Sequence, residues 1–200
     1  GGPAGLSAAY QLAVKGHAVT VLDMMPEMGG MLRYGSPEYR LPKAVVRNEI
    51  EKIEALGVHF VKNCLVGSPE SGVTIDSLFA DGFDAIFMAT GTALPQGLNI
   101  PGANLKRVTQ STDFLHNVNA YIEGAIAREM VPLREGDKVA VIGGGNVAMD
   151  AARTARRLGA NVTVIYRRKQ EDMPAIRSEY EEAVNEGVRF LWESNSLEFI

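Results

Sequence analysis

The chain has 200 residues, of which 46% are hydrophobic and 22% charged, a composition typical of globular proteins that excludes a disordered or fibrous chain. The net charge of −4 gives no broad attraction for nucleic acid, and no apolar run is long enough for a membrane-spanning helix. One cysteine, Cys64, cannot form an internal disulfide or supply an iron–sulfur cage. With no visible signal peptide, this indicates a cytoplasmic protein. The three histidines lie far apart, so no metal site is predicted.

The first residues predict a glycine turn, a helix and a strand, in that order. Residues 1–5, GGPAG, open the chain without a methionine or a preceding strand, so we interpret the sequence as a fragment that begins inside a motif. A helix of small residues follows, Gly16 ends it, and a β-branched strand runs to Asp23.

The middle of the chain predicts a series of short elements after a glycine-containing loop over residues 24–42. We expect, in order, a helix over 43–56, a strand over 58–61, a short helix over 74–80, a buried strand over 83–88, a loop over 97–104 and a helix over 111–129. The Ser111-Thr112-Asp113 start of the last helix suits an N-cap.

A complete βαβ unit follows a linker over residues 130–137. Its first strand covers residues 138–142 and leads into the motif Gly143-x-Gly145-x-x-Ala148 at the start of a helix. A second strand ends at Tyr166, and a helix over 178–186 and a strand over 188–192 come after it.

The two glycine turns belong to an internal repeat. Residues 1–23 and 144–166 align at a constant offset of 143, and the identical positions are Gly1, Gly2, Ala8, Ala9, Gly16, Val19, Thr20 and Val21. In dinucleotide-binding folds the glycines permit a tight turn and a close approach of the backbone to a pyrophosphate, while a small third residue lets the helix pack on the sheet. The repeat therefore predicts two dinucleotide sites. The alternative is that the glycine turns only connect strands and helices.

The residues that follow the second strand differ between the two copies. Asp23 in the first copy would accept hydrogen bonds from a ribose diol and repel a 2′-phosphate. The aligned residue in the second copy is Tyr166, followed by Arg167 and Arg168, whose guanidinium groups can clamp a phosphate. The pattern predicts an unphosphorylated ribose at the first site and a 2′-phosphorylated one at the second. The alternative for the two arginines is a solvated surface pair.

Several stretches resemble the glutamate synthase small (beta) subunit family, and together they cover essentially the whole chain. They are GGPAG, VTVLD, PEMGGMLRYGSPEYRLPK, ATGT, VAVIGGGNVAMDAARTARRLGANVTVIYRR and EDMPA. The resemblance implies an α/β flavoprotein with two Rossmann-like dinucleotide-binding domains, both incomplete in this chain. Residues 1–110 would bind FAD, residues 111–136 would form a connecting helix and linker, and residues 137–200 would bind NADPH.

The resemblance also implies which residues contact each cofactor. On the FAD side they are Gly2, Ala4, Gly5, Asp23, Gly30, Leu32, Arg40, Val66, Ala89, Thr90 and Gly91. On the NADPH side they are Gly145, Asn146, Val147, Arg167, Arg168 and Glu179, to which the glycine motif adds Gly143 and Ala148. Without the resemblance, Tyr34, Tyr39 and Arg40 fit a flavin pocket or a surface loop equally well, and residues 89–91 fit an ordinary turn.

The activity implied by the resemblance is electron transfer from NADPH through FAD to iron–sulfur centres, which would lie on segments absent from this chain. The implied partner is a glutamate synthase alpha-like large subunit or a ferredoxin-type acceptor domain, with no nucleic acid and no membrane involved. No catalytic side chain is predicted, because the cofactors carry the chemistry. The alternatives are a ferredoxin:NADP oxidoreductase-type subunit and a nucleotide-binding module without redox activity. Because the first strand and the closing Gly-Asp motif of the FAD domain are missing, we expect the fragment to be inactive alone.

Overall fold

A computed structural model of the chain describes residues 1–68, 70, 72–92 and 97–200. The chain divides into two compact units, Gly1–Ala93 and Leu94–Ile200. Within the described ranges, the helices are all too short or too polar to cross a membrane.

The first unit is built on a parallel pair of strands with helices beside it. Its elements are α1 (Pro3–Val14), β1 (Thr20–Leu22), α2 (Met31–Tyr34), α3 (Lys43–Ala55), β2 (His59–Val61) and α4 (Ile75–Ala80). Strand β1 pairs with β2 so that Thr20 lies opposite His59, and α1 packs against α3 and β1. Gly2 is the N-cap of α1, and Pro3 takes the first helical position, where a missing N–H costs nothing.

The buried strand predicted over residues 83–88 is wrong. These residues form no strand, and no backbone hydrogen bonds pair them with a strand in the part of the chain that is described. Phe87 and Met88 are 63% and 66% exposed. A strand requires a neighbouring backbone, whereas an apolar run indicates only that a segment can be buried, not what lies beside it.

The second unit contains a three-stranded parallel sheet in the order β3-β4-β5. Its elements are α5 (Ser111–Ile122), β3 (Lys138–Ile142), α6 (Asn146–Arg157), β4 (Asn161–Ile165), α7 (Arg177–Asn185) and β5 (Arg189–Leu191), with 3₁₀ turns at Arg128–Met130 and Gln170–Asp172. The βαβ unit predicted from the second glycine motif is confirmed, with the two strands in register from Lys138 opposite Asn161.

Small residues on α6 allow this helix to lie close to its neighbours. Ala152 and Ala155 of α6 are fully buried, and they share one core with valines of β3 and β4 and with Phe114, Leu115 and Val118 of α5. Helix α5 is therefore part of the second unit's core, although the sequence analysis places it in a separate connecting segment. Which cofactor each domain binds stays a prediction.

Helix α5 is shorter than predicted, because the helix expected to reach residue 129 ends at Ile122. Gly124 takes a φ of +75°, its N–H donates to the Tyr121 carbonyl at 2.9 Å, and the Ala125 N–H donates to the Ala120 carbonyl at 2.8 Å. This pair of bonds is a Schellman motif, which closes a helix at a left-handed glycine. The N-cap expected within the Ser111-Thr112-Asp113 start is also wrong, since Gln110 is the N-cap and makes no side-chain capping bond.

The internal repeat extends further than the 23 aligned residues. Strand β5 pairs with β4 so that Thr163 lies opposite Arg189, the counterpart of Thr20 opposite His59 in the first unit. Beyond the second strand of each pair the chain bonds back in the same way: the Cys64 N–H donates to the Asp23 carbonyl at 2.8 Å, and the Ser194 N–H donates to the Tyr166 carbonyl at 3.1 Å. Asp23 and Tyr166 therefore occupy equivalent places at the carboxyl ends of equivalent strands.

Candidate functional site

In the first unit, the N-terminus of α1 lies against the glycine pair of the following loop. A Cβ atom on Gly30 would lie 2.6 Å from the Cα of Gly2, and the φ of Gly30 is +52°, so only glycine fits there. The Gly29 N–H donates to the Gly1 carbonyl at 2.8 Å and ties the two segments together. The contact between Gly2 and Gly30 lies at the N-terminus of α1, where the first N–H groups have no acceptor within the helix.

The carboxylate of Asp23 lies beside this turn. Its Oδ2 is 3.0 Å from the Gly1 nitrogen and its side chain is 14% exposed, while its Oδ1 accepts from the Met25 N–H at 2.9 Å. Gly5 adds a further contact, because a Cβ there would lie 3.4 Å from the Cβ of Ala89. The structure thus brings together these predicted FAD-side residues: Gly2, Gly5, Asp23, Gly30 and Ala89.

The other residues predicted for the FAD side lie at the surface of the first unit. They are Ala4, Leu32, Arg40, Val66, Thr90 and Gly91. The guanidinium of Arg40 lies 6.0 Å from the centroid of the Tyr39 ring, an arrangement that keeps the side chain along the loop. Exposure leaves all six accessible to a ligand, and their contact with FAD stays a prediction.

Lys43 is a residue that the sequence analysis missed. It is 2% exposed, and its ammonium donates to the carbonyls of Leu32 at 3.1 Å, Ser36 and Leu41. An ammonium has three donors and is costly to bury unless they are satisfied. Lys43 therefore holds the loop that carries Leu32 and Arg40, two of the predicted FAD contacts. No local pattern signals this, because a lysine at the start of an amphipathic helix usually faces water.

A second set of contacts fastens the preceding part of the same loop. The Tyr34 hydroxyl donates to the Glu27 carbonyl at 3.0 Å and accepts from the Glu27 N–H at 3.1 Å, and burial raises the pKa of Tyr34. A hydrogen bond from Lys62 lowers the pKa of Glu27. Tyr34, which the sequence left between a flavin pocket and a surface loop, is thus half-buried and hydrogen-bonded within its own loop.

In the second unit, the glycine turn leads directly into α6. Gly145 is the N-cap of this helix, and a Cβ placed on it would meet no atom within 4 Å. On Gly143 a Cβ would lie 3.9 Å from the Cβ of Ala148, so the small side chain of Ala148 lets the turn and the helix pack closely. Val147 is 50% exposed, and the Asn146 Oδ1 accepts from the Ile176 N–H at 2.9 Å. The first turn of α6 is therefore open on its glycine side.

The ring of Tyr166 covers the middle of this glycine turn. A Cβ on Gly144 would lie 2.7 Å from the Tyr166 ring, which explains why no larger residue fits there. Tyr166 is 8% exposed. Arg167 and Arg168, which follow it, are exposed, and within the described ranges their guanidinium groups form no hydrogen bond or ion pair. The two arginines are therefore available to an anionic ligand.

Glu179 lies in an ion-pair network that joins α6 to α7. Its Oε2 is 3.2 Å from the Nη1 of Arg153, and the two side chains are 13% and 6% exposed. Arg153 also pairs with Glu182 and Glu186 at 2.5 and 2.8 Å. A hydrogen bond from Arg157, opposed by burial and reinforced by Arg153, holds the pKa of Glu186 below its ordinary value. Glu179 thus has a structural partner, and its contact with NADPH stays a prediction.

Each unit therefore presents a glycine turn at a helix N-terminus, next to the carboxyl end of a parallel strand, which is the layout of a dinucleotide-binding α/β protein. The chain belongs to the pyridine nucleotide-disulphide oxidoreductase family, whose model matches residues 1–200. The predicted fold class, α/β with two Rossmann-like domains, is confirmed.

Curated relatives match nearly the whole chain but extend well beyond it. The chain is 45% identical over 190 residues to the NADP(+)-dependent formate dehydrogenase subunit beta of Moorella thermoacetica, covering 94% of this chain and 25% of that protein. It is 39% identical over 200 residues to a putative glutamate synthase [NADPH] small chain of Cereibacter sphaeroides, covering 100% of this chain and 48% of that protein. The resemblance to the glutamate synthase small subunit family is confirmed, and the chain spans less than half the length of either relative.

Solved structures match as well. A 2-naphthoyl-CoA reductase in complex with 2-naphthoyl-CoA has 26% sequence identity and a TM-score of 0.75, over 100% of this chain and 28% of that one. FprA of Mycobacterium tuberculosis in complex with NADPH has 25% identity and a TM-score of 0.67, over 93% of this chain and 46% of that one.

Proposed function

We propose that this chain is the nucleotide-binding part of an NADPH-dependent flavoprotein oxidoreductase, with FAD at the first glycine turn and NADPH at the second. The observation that carries the proposal is the difference between two otherwise equivalent places. Asp23 stands at the end of β1, and Tyr166 with Arg167 and Arg168 stands at the end of β4. An acid favours a free ribose diol, and arginines favour a 2′-phosphate.

The residues of the first turn fit the pyrophosphate and ribose of FAD. The close contact of Gly30 with Gly2 lies at the start of α1, whose first backbone N–H groups have no acceptor within the helix and suit a pyrophosphate. The carboxylate of Asp23 beside the turn can accept hydrogen bonds from both ribose hydroxyls. Lys43 would act indirectly, by holding the loop of Leu32 and Arg40 in place.

The residues of the second turn fit NADPH. The open side of Gly145 admits a pyrophosphate to the N-terminus of α6, where the helix dipole favours negative charge. Arg167 and Arg168 are exposed next to the turn and can form charge-assisted bonds with the phosphate that distinguishes NADPH from NADH. This chain's residues would thus bind and orient the nucleotides.

When bound, the two cofactors supply hydride transfer and its conversion into single electrons. The electrons would leave through iron–sulfur centres outside this chain, since Cys64 is its only cysteine. The relatives are named as subunits of glutamate synthase and of formate dehydrogenase, which supports a larger partner protein as the acceptor. The similarity to FprA favours keeping a ferredoxin:NADP oxidoreductase-type role as the second candidate.

The proposal is tested by rapid mixing of the purified holoenzyme with NADPH or NADH under anaerobic conditions, while the flavin absorbance is followed. We expect a flavin spectrum in the purified protein and bleaching at far lower concentrations of NADPH than of NADH. A protein without flavin, or one that NADH reduces as readily, contradicts the proposal. Iron analysis of the same sample tests the iron–sulfur part separately.

A further inference from the structure

Tyr166 occupies the place of Asp23 in the repeat but uses its polar group differently. In both units this residue lies over the glycine turn, since a Cβ on Gly1 would clash with Asp23 and a Cβ on Gly144 would clash with Tyr166. The hydroxyl of Tyr166, however, donates to the carbonyl of Asp172 at 2.9 Å. Its proton is therefore engaged within the protein and is not available to donate to a ribose.

This hydrogen bond closes the segment that carries the two arginines. The bond joins Tyr166 to Asp172, and Arg167 and Arg168 lie between these two residues in the sequence. We name residues 167–172 the arginine loop. One backbone bond holds the loop itself, from the Glu193 N–H to the Arg168 carbonyl at 3.1 Å. Another holds the chain just after the loop, from the Ala175 N–H to the Gly144 carbonyl at 3.0 Å. The tyrosine hydroxyl supplies a side-chain closure across the loop.

The arginines themselves have no side-chain anchor among the described residues. The position of their guanidinium groups relative to the glycine turn therefore depends on the backbone of the arginine loop. A loop that is already ordered loses less conformational entropy when a ligand binds. The ring of Tyr166 touches the glycine turn and its hydroxyl touches the far end of the loop, so one side chain connects the two parts of the site.

We propose that Tyr166 is a positioning residue for the 2′-phosphate: its hydroxyl, bonded to the Asp172 carbonyl, holds the arginine loop against the glycine turn. Tyr166 itself makes no bond to the phosphate and acts through Arg167 and Arg168. The inference rests on the proposed NADPH site. It predicts that removing a single oxygen atom, remote from the nucleotide's reacting end, weakens only ligands that carry a 2′-phosphate.

The test compares the wild-type holoenzyme with Tyr166→Phe, which keeps the ring that packs on Gly144. Binding is measured with adenosine 2′,5′-bisphosphate and with 5′-AMP, and the KM and kcat of NADPH and NADH are measured with an artificial electron acceptor. We expect the Kd of the bisphosphate and the KM of NADPH to rise about fivefold, the effect of one neutral hydrogen bond. The kcat with NADPH stays unchanged, and so do the Kd of 5′-AMP and the KM of NADH, which lack the 2′-phosphate.

Two further variants separate positioning from general packing. Tyr180→Phe is the matched control, because the rings of Tyr166 and Tyr180 both lie beside the Trp192 ring, with centroids at 6.3 and 5.9 Å. The Tyr180 hydroxyl makes no hydrogen bond within the described ranges. It should change none of these constants. In a background of Arg167→Ala and Arg168→Ala, the effect of Tyr166→Phe on the bisphosphate should disappear, because the tyrosine acts through the arginines.

The outcomes distinguish this inference from the proposed function. If the wild type binds the bisphosphate no more tightly than 5′-AMP, the proposed NADPH site fails, and the inference fails with it. If the wild type prefers the bisphosphate but Tyr166→Phe leaves its Kd unchanged, or weakens both ligands equally, only the role of Tyr166 is overturned. Persistence of the effect without the arginines overturns it too.

Discussion

Replacing Arg153 by methionine should destabilise the second unit far more than removing an ion pair at its surface. The Arg153 side chain is 6% exposed and lies 3.2 Å from Glu179 and 2.8 Å from Glu186. Methionine keeps the apolar stem but removes the guanidinium from beside these carboxylates, which are 13% and 22% exposed. Removing one member of a buried ion pair costs about 3–5 kcal/mol. Since Arg157 still pairs with Glu186, we expect a loss of about 3 kcal/mol, the lower end of that range.

Arg177→Met is the matched control, because the Nε of Arg177 lies 2.8 Å from Glu181, a distance like that in the buried network, but the two side chains are 91% and 54% exposed. An exposed pair at this helical spacing contributes about 0.3–0.5 kcal/mol. The assay is urea-induced unfolding of each holoenzyme variant, followed by circular dichroism at pH 7. Equal losses for the two variants would refute the assignment of α6–α7 stability to the buried network.

A rescue variant tests the physical cause of the loss. Adding Glu179→Gln and Glu186→Gln to Arg153→Met removes two carboxylates that lose their contact with the Arg153 guanidinium. The cost of breaking a buried pair comes mainly from the charge left behind. The triple variant should therefore recover a large part of the lost stability, and a further loss instead would show that the carboxylates are not the cause.

The remaining predictions concern pH and cofactor binding. Because the pKa of Glu186 is lowered in the folded protein, its stabilising contribution is complete above the ordinary value of 4.5 and is lost as the pH falls below that value. In this acidic range, the urea concentration at the unfolding midpoint should fall less steeply with decreasing pH for Glu186→Gln than for the wild type. An equally steep fall in both proteins would contradict this. Replacing Arg167 and Arg168 together by alanine should raise the KM of NADPH at least about 100-fold, since two charge-assisted contacts of about 1.5–3 kcal/mol each disappear. The KM of NADH should stay nearly unchanged, and steady-state kinetics that show an equal loss with both nucleotides would contradict the prediction. Asp23→Ala should weaken FAD retention by about 1.5–3 kcal/mol, the range for hydrogen bonds to a charged group; equilibrium dialysis showing an unchanged Kd for FAD would remove Asp23 from the site.

Local sequence determines the elements that depend on neighbouring residues alone. Glycine spacing and the periodicity of small residues predicted α1 and α6, and β-branched runs predicted β1 and β4. The same spacing predicted the glycine turns, since the close approach of a helix N-terminus to a strand end needs residues without side chains at fixed positions. The equivalence of Asp23 and Tyr166 was likewise readable from the repeat, because equal spacing from equivalent turns places both at equivalent strand ends.

Tertiary structure decided whatever depends on a partner distant in the chain. The apolar run at 83–88 indicated burial but could not supply the neighbouring backbone that a strand requires, and Phe87 and Met88 remain exposed. Lys43 is buried because carbonyls of a loop converge on its ammonium group. The sequence of its own helix does not indicate that this loop folds over it. The Tyr166 hydroxyl likewise has a partner only because the folded arginine loop places the Asp172 carbonyl beside it. The spacing of apolar residues in the sequence specifies which face of a helix or strand is apolar. Only the folded chain determines which polar groups hydrogen-bond to a buried donor or pair with a buried charge.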